Sequence, residues 1–250
     1  MRTLFSAICL YALCASMFGA SQAAATQDET NKSTNGLMVG RITRGDTVLC
    51  TGFLIEPNLA LKAAHCLFEK TSTLIIPPHQ IGFAPGIHHG RELPIRVVKQ
   101  TLLPEKYDYL AIGDVDRLRY DLALLQLHPT SDPVDLTPIH IASSASLRGD
   151  PVAIVTFGAA GEKHATLQSS CDLKNQQSGF LILLCDVNLG YSGAPVINFS
   201  TAPATIVSLV SGKAILNGES VATGASLIDT VDILKARLRR SETNLLKPPD

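Results

Sequence analysis

Short apolar runs recur along most of the chain, and Gly, Pro, Asn and Asp residues separate them. Many short strands divided by turn residues are typical of a β-barrel or a β-sandwich. The pattern therefore predicts an all-β body. The predicted strands are Thr47–Ile55, Leu59–Ala64, Ile95–Gln100, Leu122–Leu127, Val152–Phe157, Phe180–Cys185, Ala194–Ile197, Thr205–Val210 and Val221–Ile228.

Near the C-terminus the apolar period changes from that of a strand to that of a helix. Val231, Leu234 and Leu238 follow the i, i+3, i+7 spacing of one helical face. Asp229 or Thr230 suits the first position, and the basic residues around Arg240 suit the last turn. We expect one terminal helix that ends near Arg240, followed by a tail over residues 241–250.

The N-terminal segment has the three parts of a secretory signal peptide. Basic Arg2 precedes the apolar run Leu4–Ala15, and small residues follow up to Ala25. We predict a signal peptide over residues 1–25 with cleavage near Ala23–Ala25; the alternative is a buried N-terminal helix. Residues 26–36 are polar and aperiodic, which predicts a flexible lead-in or a short pro-segment. The protein is then exported, either secreted or periplasmic.

Charge and hydropathy exclude some partners. The chain has 21 Lys plus Arg against 22 Asp plus Glu, so no strong field attracts nucleic acid or anionic lipid. After the signal peptide, no segment approaches the roughly 18 apolar residues of a membrane-spanning helix. We therefore expect neither nucleic-acid binding nor membrane insertion after cleavage.

Cysteine number points to disulfides rather than to a metal. Signal cleavage removes Cys9 and Cys14 and leaves Cys50, Cys66, Cys171 and Cys185. In an oxidising compartment these four residues predict two disulfides, for which spacing alone allows several pairings. The long intervals between them are unlike those of a zinc site. The adjacent His88 and His89 have no other ligands nearby and are interpreted as loop residues, so no metal is expected.

The segment Leu61-Lys62-Ala63-Ala64-His65-Cys66 resembles the chymotrypsin-like serine proteases. That family places its general-base histidine directly before a cysteine that pairs with a cysteine about 16 positions upstream. The resemblance implies that His65 is the general base and that Cys50 pairs with Cys66, which leaves Cys171 to pair with Cys185. A disulfide beside the histidine restricts its backbone. Lys62 departs from the family, which usually has Ser or Thr there.

Two further motifs match the same family. Asp121 leads into the apolar run Leu122–Leu127, as the family's aspartate does, although an Asp at such a position is often only a turn residue. Gly190-Tyr191-Ser192-Gly193 resembles the nucleophile loop, and the resemblance implies that Ser192 is the nucleophile. The backbone N–H groups of Gly190 and Ser192 then form the oxyanion hole.

The order His, Asp, Ser excludes an α/β-hydrolase, which needs Ser first and a second Gly at the position of Ala194. The resemblance covers residues 37–240. It implies two antiparallel six-stranded β-barrels, residues 37–138 and 139–240, the second including the terminal helix. We expect a monomeric serine endopeptidase that acts on proteins or peptides and needs no cofactor.

Two positions bear on activation and specificity. Tyr191 stands where trypsin-like zymogens have the aspartate that pairs with a new N-terminus, so we expect packing to hold the oxyanion loop, as in bacterial glutamyl-endopeptidase-like relatives. Asp186 lies six residues before Ser192, the separation at which trypsin has the carboxylate at the base of its specificity pocket. It could select Arg or Lys before the scissile bond; the alternative is an aspartate that anchors a loop.

The rival function is a protease-fold binding or regulatory protein without turnover.

Overall fold

Antiparallel strands form most of the regular structure. The computed structural model describes residues 39–69, 72–85, 87–88, 91–130, 140–143, 151–157, 165–177, 179–185, 187–188 and 190–245. All of them belong to one compact unit, Gly36–Asp250. The predicted signal peptide, the lead-in and Asp186 lie outside the described residues.

The first group of strands closes into a barrel with the order β1-β2-β3-β8-β7-β4. Its inward side chains are apolar, among them Phe53, Leu61 and Leu125. Strands β5 and β6 form a separate two-stranded sheet. The bounds are β1 Val39–Arg44, β2 Thr47–Glu56, β3 Leu59–Lys62, β4 Gly82–Pro85, β5 Ile87–His88, β6 Arg91–Glu92, β7 Arg96–Leu102 and β8 Ala123–Leu127.

The second group forms a barrel with the order β13-β10-β11-β12-β15-β14, which the pairing of β13 with β14 closes. The short strand β9 adds to β14 in parallel. The bounds are β9 His140–Ile141, β10 Pro151–Thr156, β11 Thr166–Gln177, β12 Phe180–Leu184, β13 Pro195–Asn198, β14 Thr205–Leu216 and β15 Glu219–Ser226. The predicted architecture of two six-stranded antiparallel barrels is confirmed.

Six of the described strands, β1, β4, β5, β6, β9 and β11, were missed by the apolar pattern. Strand β11 is largely polar, but β10 and β12 pair with it on its two edges, so ladder hydrogen bonds keep it extended. In β1, Gly40 lies against the Phe83 ring of β4, and a Cβ at Gly40 would come within 2.7 Å of that ring. Such cross-strand contacts cannot be deduced from apolar periodicity.

The C-terminal helix, Thr230–Leu245, packs on the first barrel. Its predicted apolar face is confirmed, because Val231, Leu234 and Leu238 are buried. The predicted end near Arg240 is wrong. The Gln126 amide of β8 donates a 2.7 Å hydrogen bond to the Glu242 carboxylate, and this contact extends the helix past Arg240. No helix in the described part of the chain is long and apolar enough to cross a membrane.

Besides this helix, the described residues contain three short helical segments: 3₁₀ turns at Ala64–Leu67 and Pro78–Gln80, and an α-helix at Val115–Arg119. The first turn carries His65, and the α-helix immediately precedes Asp121. Both segments connect strands of the first barrel and place their residues at one end of it.

Candidate active site

His65 lies in the 3₁₀ turn that follows β3. Its neighbour Cys66 is disulfide-bonded to Cys50 of β2, so the turn is covalently tied to the adjacent strand. The side chain of His65 is 25% exposed to solvent. The backbone position of the imidazole is thus restricted while the ring remains accessible from solvent.

Asp121 is buried just before β8 and accepts hydrogen bonds through both carboxylate oxygens. Oδ1 accepts the His65 backbone N–H at 2.8 Å, and Oδ2 accepts from His65 Nδ1 at 2.7 Å. The Ser211 hydroxyl of β14 also donates to Oδ2. An ionised carboxylate can only accept, so the ring proton resides on Nδ1, and Nε2 of the neutral imidazole is free to accept a proton.

The surroundings of Asp121 favour its ionised form. Burial by itself raises the pKa of Asp121, but the charge of His65 and the hydrogen bonds from His65 and Ser211 outweigh that effect. The net result is a pKa below the usual range for Asp. The carboxylate therefore stays negative beside the imidazole at neutral pH.

Ser211 was missed by the sequence reasoning. In the sequence it is a single hydroxyl residue directly after the apolar run Thr205–Val210, where the predicted strand ends. The strand in fact continues to Leu216, which buries Ser211 against Asp121 of the other barrel. Only tertiary contact between the barrels identifies this residue.

Ser192 lies in a tight turn that needs two glycines. Gly190 and Gly193 adopt φ of +97° and +81°, which other residues rarely adopt. A Cβ at Gly193 would also overlap the Thr51 carbonyl oxygen. The Gly-x-Ser-Gly spacing is thus required for the turn and for its close approach to the first barrel.

Hydrogen bonds from Thr51 of β2 hold this loop. The Thr51 N–H donates to the Ser192 carbonyl at 3.0 Å, and the Thr51 hydroxyl donates to the Gly190 carbonyl at 2.8 Å. The Thr156 hydroxyl lies 3.2 Å from the Thr51 hydroxyl. In addition, the Gly193 N–H donates to the Val210 carbonyl at 2.7 Å. Thr51 and Thr156 were not singled out from the sequence.

Two backbone donors of the loop have no acceptor among the residues that the structure describes. Among the described residues, neither the Gly190 N–H nor the Ser192 N–H has an acceptor, although the N–H groups of Tyr191, Gly193 and Ala194 do. Gly190 and Ser192 are half-buried, so these two donors beside the Ser192 hydroxyl are accessible to a ligand oxygen.

His65 and Ser192 line one cleft of about 850 Å³. Within the described residues no hydrogen bond joins the Ser192 hydroxyl to the His65 ring. The Nε2 atom of His65 instead lies 3.4 Å from the Cys66 sulfur. Catalytic hydrogen bonds are often long without substrate and shorten when it binds.

Tyr191 packs against the apolar core of the second barrel, which includes Cys171 and Val187. An aspartate at position 191 could not make this contact at low cost. The observation supports the expectation that packing contributes to the position of the loop.

Asp186 lies outside the described residues, so its position is not part of the observed site. Its neighbours are described: Cys185 is bonded to Cys171, and Val187 and Asn188 line the cleft. Both disulfides expected from the sequence are present.

One group of possible metal ligands occurs in the described residues. The ligand atoms of Cys50, His65 and Cys66 lie within 4.8 Å of one another. The disulfide uses both sulfurs, which leaves His65 as the single available ligand of this group.

Lys62, the departure noted in the sequence, is fully buried at the end of β3. Burial lowers its pKa to about 7, although the negative charge of Asp121 acts in the opposite direction. The structure thus places an amine within electrostatic reach of the carboxylate that holds His65.

Comparison of the whole chain with solved structures shows the same fold. Mouse neuropsin, a serine protease, is 16% identical, with a TM-score of 0.63 over 82% of this chain and 96% of its own. A Glu endopeptidase is 17% identical, with a TM-score of 0.62 over 82% and 91%. A mutant of human heparin binding protein (CAP37) is 14% identical, with a TM-score of 0.62 over 85% and 94%.

A comparison with protein-family models identifies the family. The model described as "Trypsin-like peptidase domain" matches residues 50–202, more than half of the chain. This segment contains the His65, Asp121 and Ser192 motifs. The chain therefore belongs to the family of trypsin-like peptidase domains and is a serine endopeptidase.

Proposed function

We propose that this endopeptidase is exported and cleaves peptide bonds by acyl transfer to Ser192, with His65 as general base and Asp121 as its partner. The observation that carries the proposal is that His65 and Ser192 line the same cleft. Asp121 orients His65 by accepting two hydrogen bonds, one from its backbone N–H and one from its ring Nδ1. The order of the motifs along the chain agrees with it.

The chemical steps follow from these positions. Ser192 Oγ attacks the substrate carbonyl while Nε2 of His65 takes its proton, and Asp121 stabilises the resulting imidazolium. The N–H groups of Gly190 and Ser192 donate to the oxyanion. His65 then protonates the leaving amine, and a water molecule, deprotonated by His65, releases the acyl group from Ser192.

Labelling with a fluorophosphonate tests the nucleophile. We expect the wild type to be labelled and Ser192→Ala to remain unlabelled. Ser200→Ala is the matched control, because Ser200 is exposed on a loop of the same barrel. Labelling of Ser192→Ala at the wild-type rate would contradict the assignment.

One observation favours the rival function. In the described residues His65 Nε2 faces the Cys66 sulfur rather than the Ser192 hydroxyl. A binding or regulatory protein could retain the fold in this arrangement without turnover. A folded wild-type protein that neither reacts with fluorophosphonate nor cleaves casein would support that alternative.

We also propose that the loop around Ser192 is competent without a new N-terminus. Tyr191 cannot form the zymogen ion pair, and Thr51 holds the loop through the Gly190 and Ser192 carbonyls. Thr51→Val removes the hydroxyl but keeps the shape. We expect kcat to fall by about ten-fold or more with KM little changed, since oxyanion stabilisation acts in the transition state.

Thr101→Val on β7 is the control for Thr51→Val, because it makes the same change in the same barrel away from the cleft. Equal kcat values for wild type and Thr51→Val would remove the role proposed for that hydroxyl.

For specificity we propose that Asp186 selects Arg or Lys before the scissile bond. Val187 and Asn188, which follow it, line the cleft. Profiling with a peptide library tests the proposal, with Asp186→Asn as the matched variant. A wild-type profile without Arg or Lys preference would leave the loop-anchoring alternative.

Export is proposed from the N-terminal segment and the two disulfides, which persist in oxidising compartments. Mass spectrometry of the protein recovered outside the cytoplasm should show cleavage near Ala23–Ala25. Recovery of the uncleaved chain from the cytoplasm would contradict export.

Size-exclusion chromatography with light scattering tests the expected monomer.

A further inference from the structure

A buried amine beside the triad residues remains unexplained by the mechanism above. Lys62 is fully buried, and its Nζ has no hydrogen-bond partner among the described residues. A buried ammonium without a hydrogen-bond or ion-pair partner destabilises the folded protein. Packing alone therefore does not explain why this position holds a lysine. Leu61 and Ala63, its neighbours in sequence, are buried apolar residues.

The strand register places Lys62 beside the catalytic centre. On β3 it pairs with Gly52 of β2 and with Ala123 of β8. Asp121 is two residues before Ala123, and diagonal positions of paired strands are within reach of long side chains. The Asp121 charge acts on the Lys62 amine.

Other groups act on the same carboxylate. Tyr107, in the loop after β7, has a buried hydroxyl beside Arg117. Burial, followed by the Asp121 charge, raises the pKa of Tyr107, and the Arg117 charge partly opposes this. His65 binds Asp121 directly. Asp121 therefore interacts electrostatically with the buried amine of Lys62 on β3 and binds His65 directly.

We propose that Lys62 is a positioning residue that acts on the pair of Asp121 and His65: its buried ammonium lies within electrostatic reach of the carboxylate, without a direct ion pair, and disfavours a second positive charge on the imidazole. The proposal rests on the general-base role of His65. Two cations beside one carboxylate repel each other, and this repulsion disfavours the imidazolium. Loss of the Lys62 charge should make His65 easier to protonate.

Lys62→Met tests the proposal, because it removes the charge and keeps an unbranched side chain of similar length. The readout is the acid limb of kcat/KM against pH, which reports the essential base of the free enzyme. We expect the midpoint of that limb to rise by about half a unit to one unit. The rise should persist in high salt, because buried pairs are screened little.

Lys99→Met is the matched control. Lys99 is exposed on β7 of the same barrel, so this variant makes the same change in net charge at the surface. We expect its acid limb to coincide with that of the wild type. Lys62→Thr, which removes the charge and much of the volume, serves as a second variant if Lys62→Met does not fold.

A second measurement does not depend on turnover. NMR titration of the His65 ring in the Ser192→Ala background, with and without Lys62→Met, should show protonation at higher pH when Lys62 is absent. Unchanged titration and an unchanged acid limb in a folded variant would overturn the proposal. Absence of labelling in the wild type would overturn the proposed function instead, while the titration still tests Lys62.

Discussion

At the residue scale, Asp121 is the residue at which several hydrogen bonds of the candidate site meet. It is buried, yet it accepts hydrogen bonds from His65 and from Ser211, which comes from the other barrel. Such bonds compensate for the loss of hydration of a buried carboxylate. Asp121 thereby connects the two barrels at the point where His65 needs a fixed orientation.

Gly193→Ala should abolish activity and destabilise the protein. The position combines φ of +81° with a Cβ direction blocked by the Thr51 carbonyl. Gly45→Ala is the control, because Gly45 has φ of +55° with open space around it. We expect about 1 kcal/mol of destabilisation for Gly45→Ala and a clearly larger loss for Gly193→Ala.

Urea unfolding monitored by circular dichroism measures both glycine variants, and a peptide substrate measures their activity. Equal losses of stability would show that backbone conformation alone, and not the contact with Thr51, matters at Gly193.

Lys62→Met should stabilise the protein, and the gain should depend on pH. The pKa of Lys62 falls from 10.5 to about 7 on folding. Between these values the unfolded chain binds one more proton, so the stability of the wild type rises with pH. The free-energy cost of burying the Lys62 amine is therefore largest below pH 7, and it disappears as the pH approaches 10.5. We expect a gain of a few kcal/mol at pH 6.

Urea unfolding at pH 6, 8 and 9.5 measures this dependence, with Lys99→Met as the control. A gain that is equal at the three pH values would indicate a packing effect and not the titration of a buried amine.

At the element scale, the C-terminal helix stabilises the first barrel by burying one face on it. Leu234 is fully buried, whereas the adjacent Ile233 is 58% exposed. The ion pair between Lys235 and Glu56, at 2.7 Å, joins the helix to the end of β2. The apolar face supplies most of the stabilisation, because exposed ion pairs contribute little.

Leu234→Ala should destabilise the protein by about 2 to 5 kcal/mol, the usual range for a large-to-small change in a core. Ile233→Ala should stay within about 0.5 kcal/mol, as expected for an exposed position. Thermal unfolding followed by circular dichroism separates the two variants. Similar losses in both would mean that the helix is not held by the observed face.

At the scale of the whole molecule, the site depends on both barrels. His65 and Asp121 belong to the first barrel, and Ser192 and Ser211 to the second. Thr51 links them, because this residue of β2 hydrogen-bonds to the loop that carries Ser192. Activity therefore requires correct packing of the barrels on each other.

Turnover should not depend on one particular N-terminus. Signal-cleaved proteins that begin at several positions before Leu37 should have kcat/KM values within about three-fold of one another, since Tyr191 offers no carboxylate for an amine. Steady-state assays on a peptide substrate measure this. A sharp maximum at one terminus would show that an N-terminal amine positions the loop by another route.

Local sequence signals predicted much of this protein. Apolar periodicity located most strands and the buried face of the C-terminal helix, because side-chain alternation and helical spacing are properties of neighbouring residues. Three motifs located His65, Asp121 and Ser192, because each needs particular residues at short spacing. Polar strand β11 and the helix end at Leu245 were not predicted, since both depend on partners distant in sequence.

By itself, the sequence determined the class of fold, the motifs and the departures at Lys62 and Tyr191. Only the tertiary structure revealed Ser211 on Asp121, Thr51 on the nucleophile loop, and the burial of Lys62 beside the same carboxylate. The physical reason is that local patterns record what each segment requires of its own backbone. Hydrogen bonds and desolvation depend on which residues the two barrels bring together.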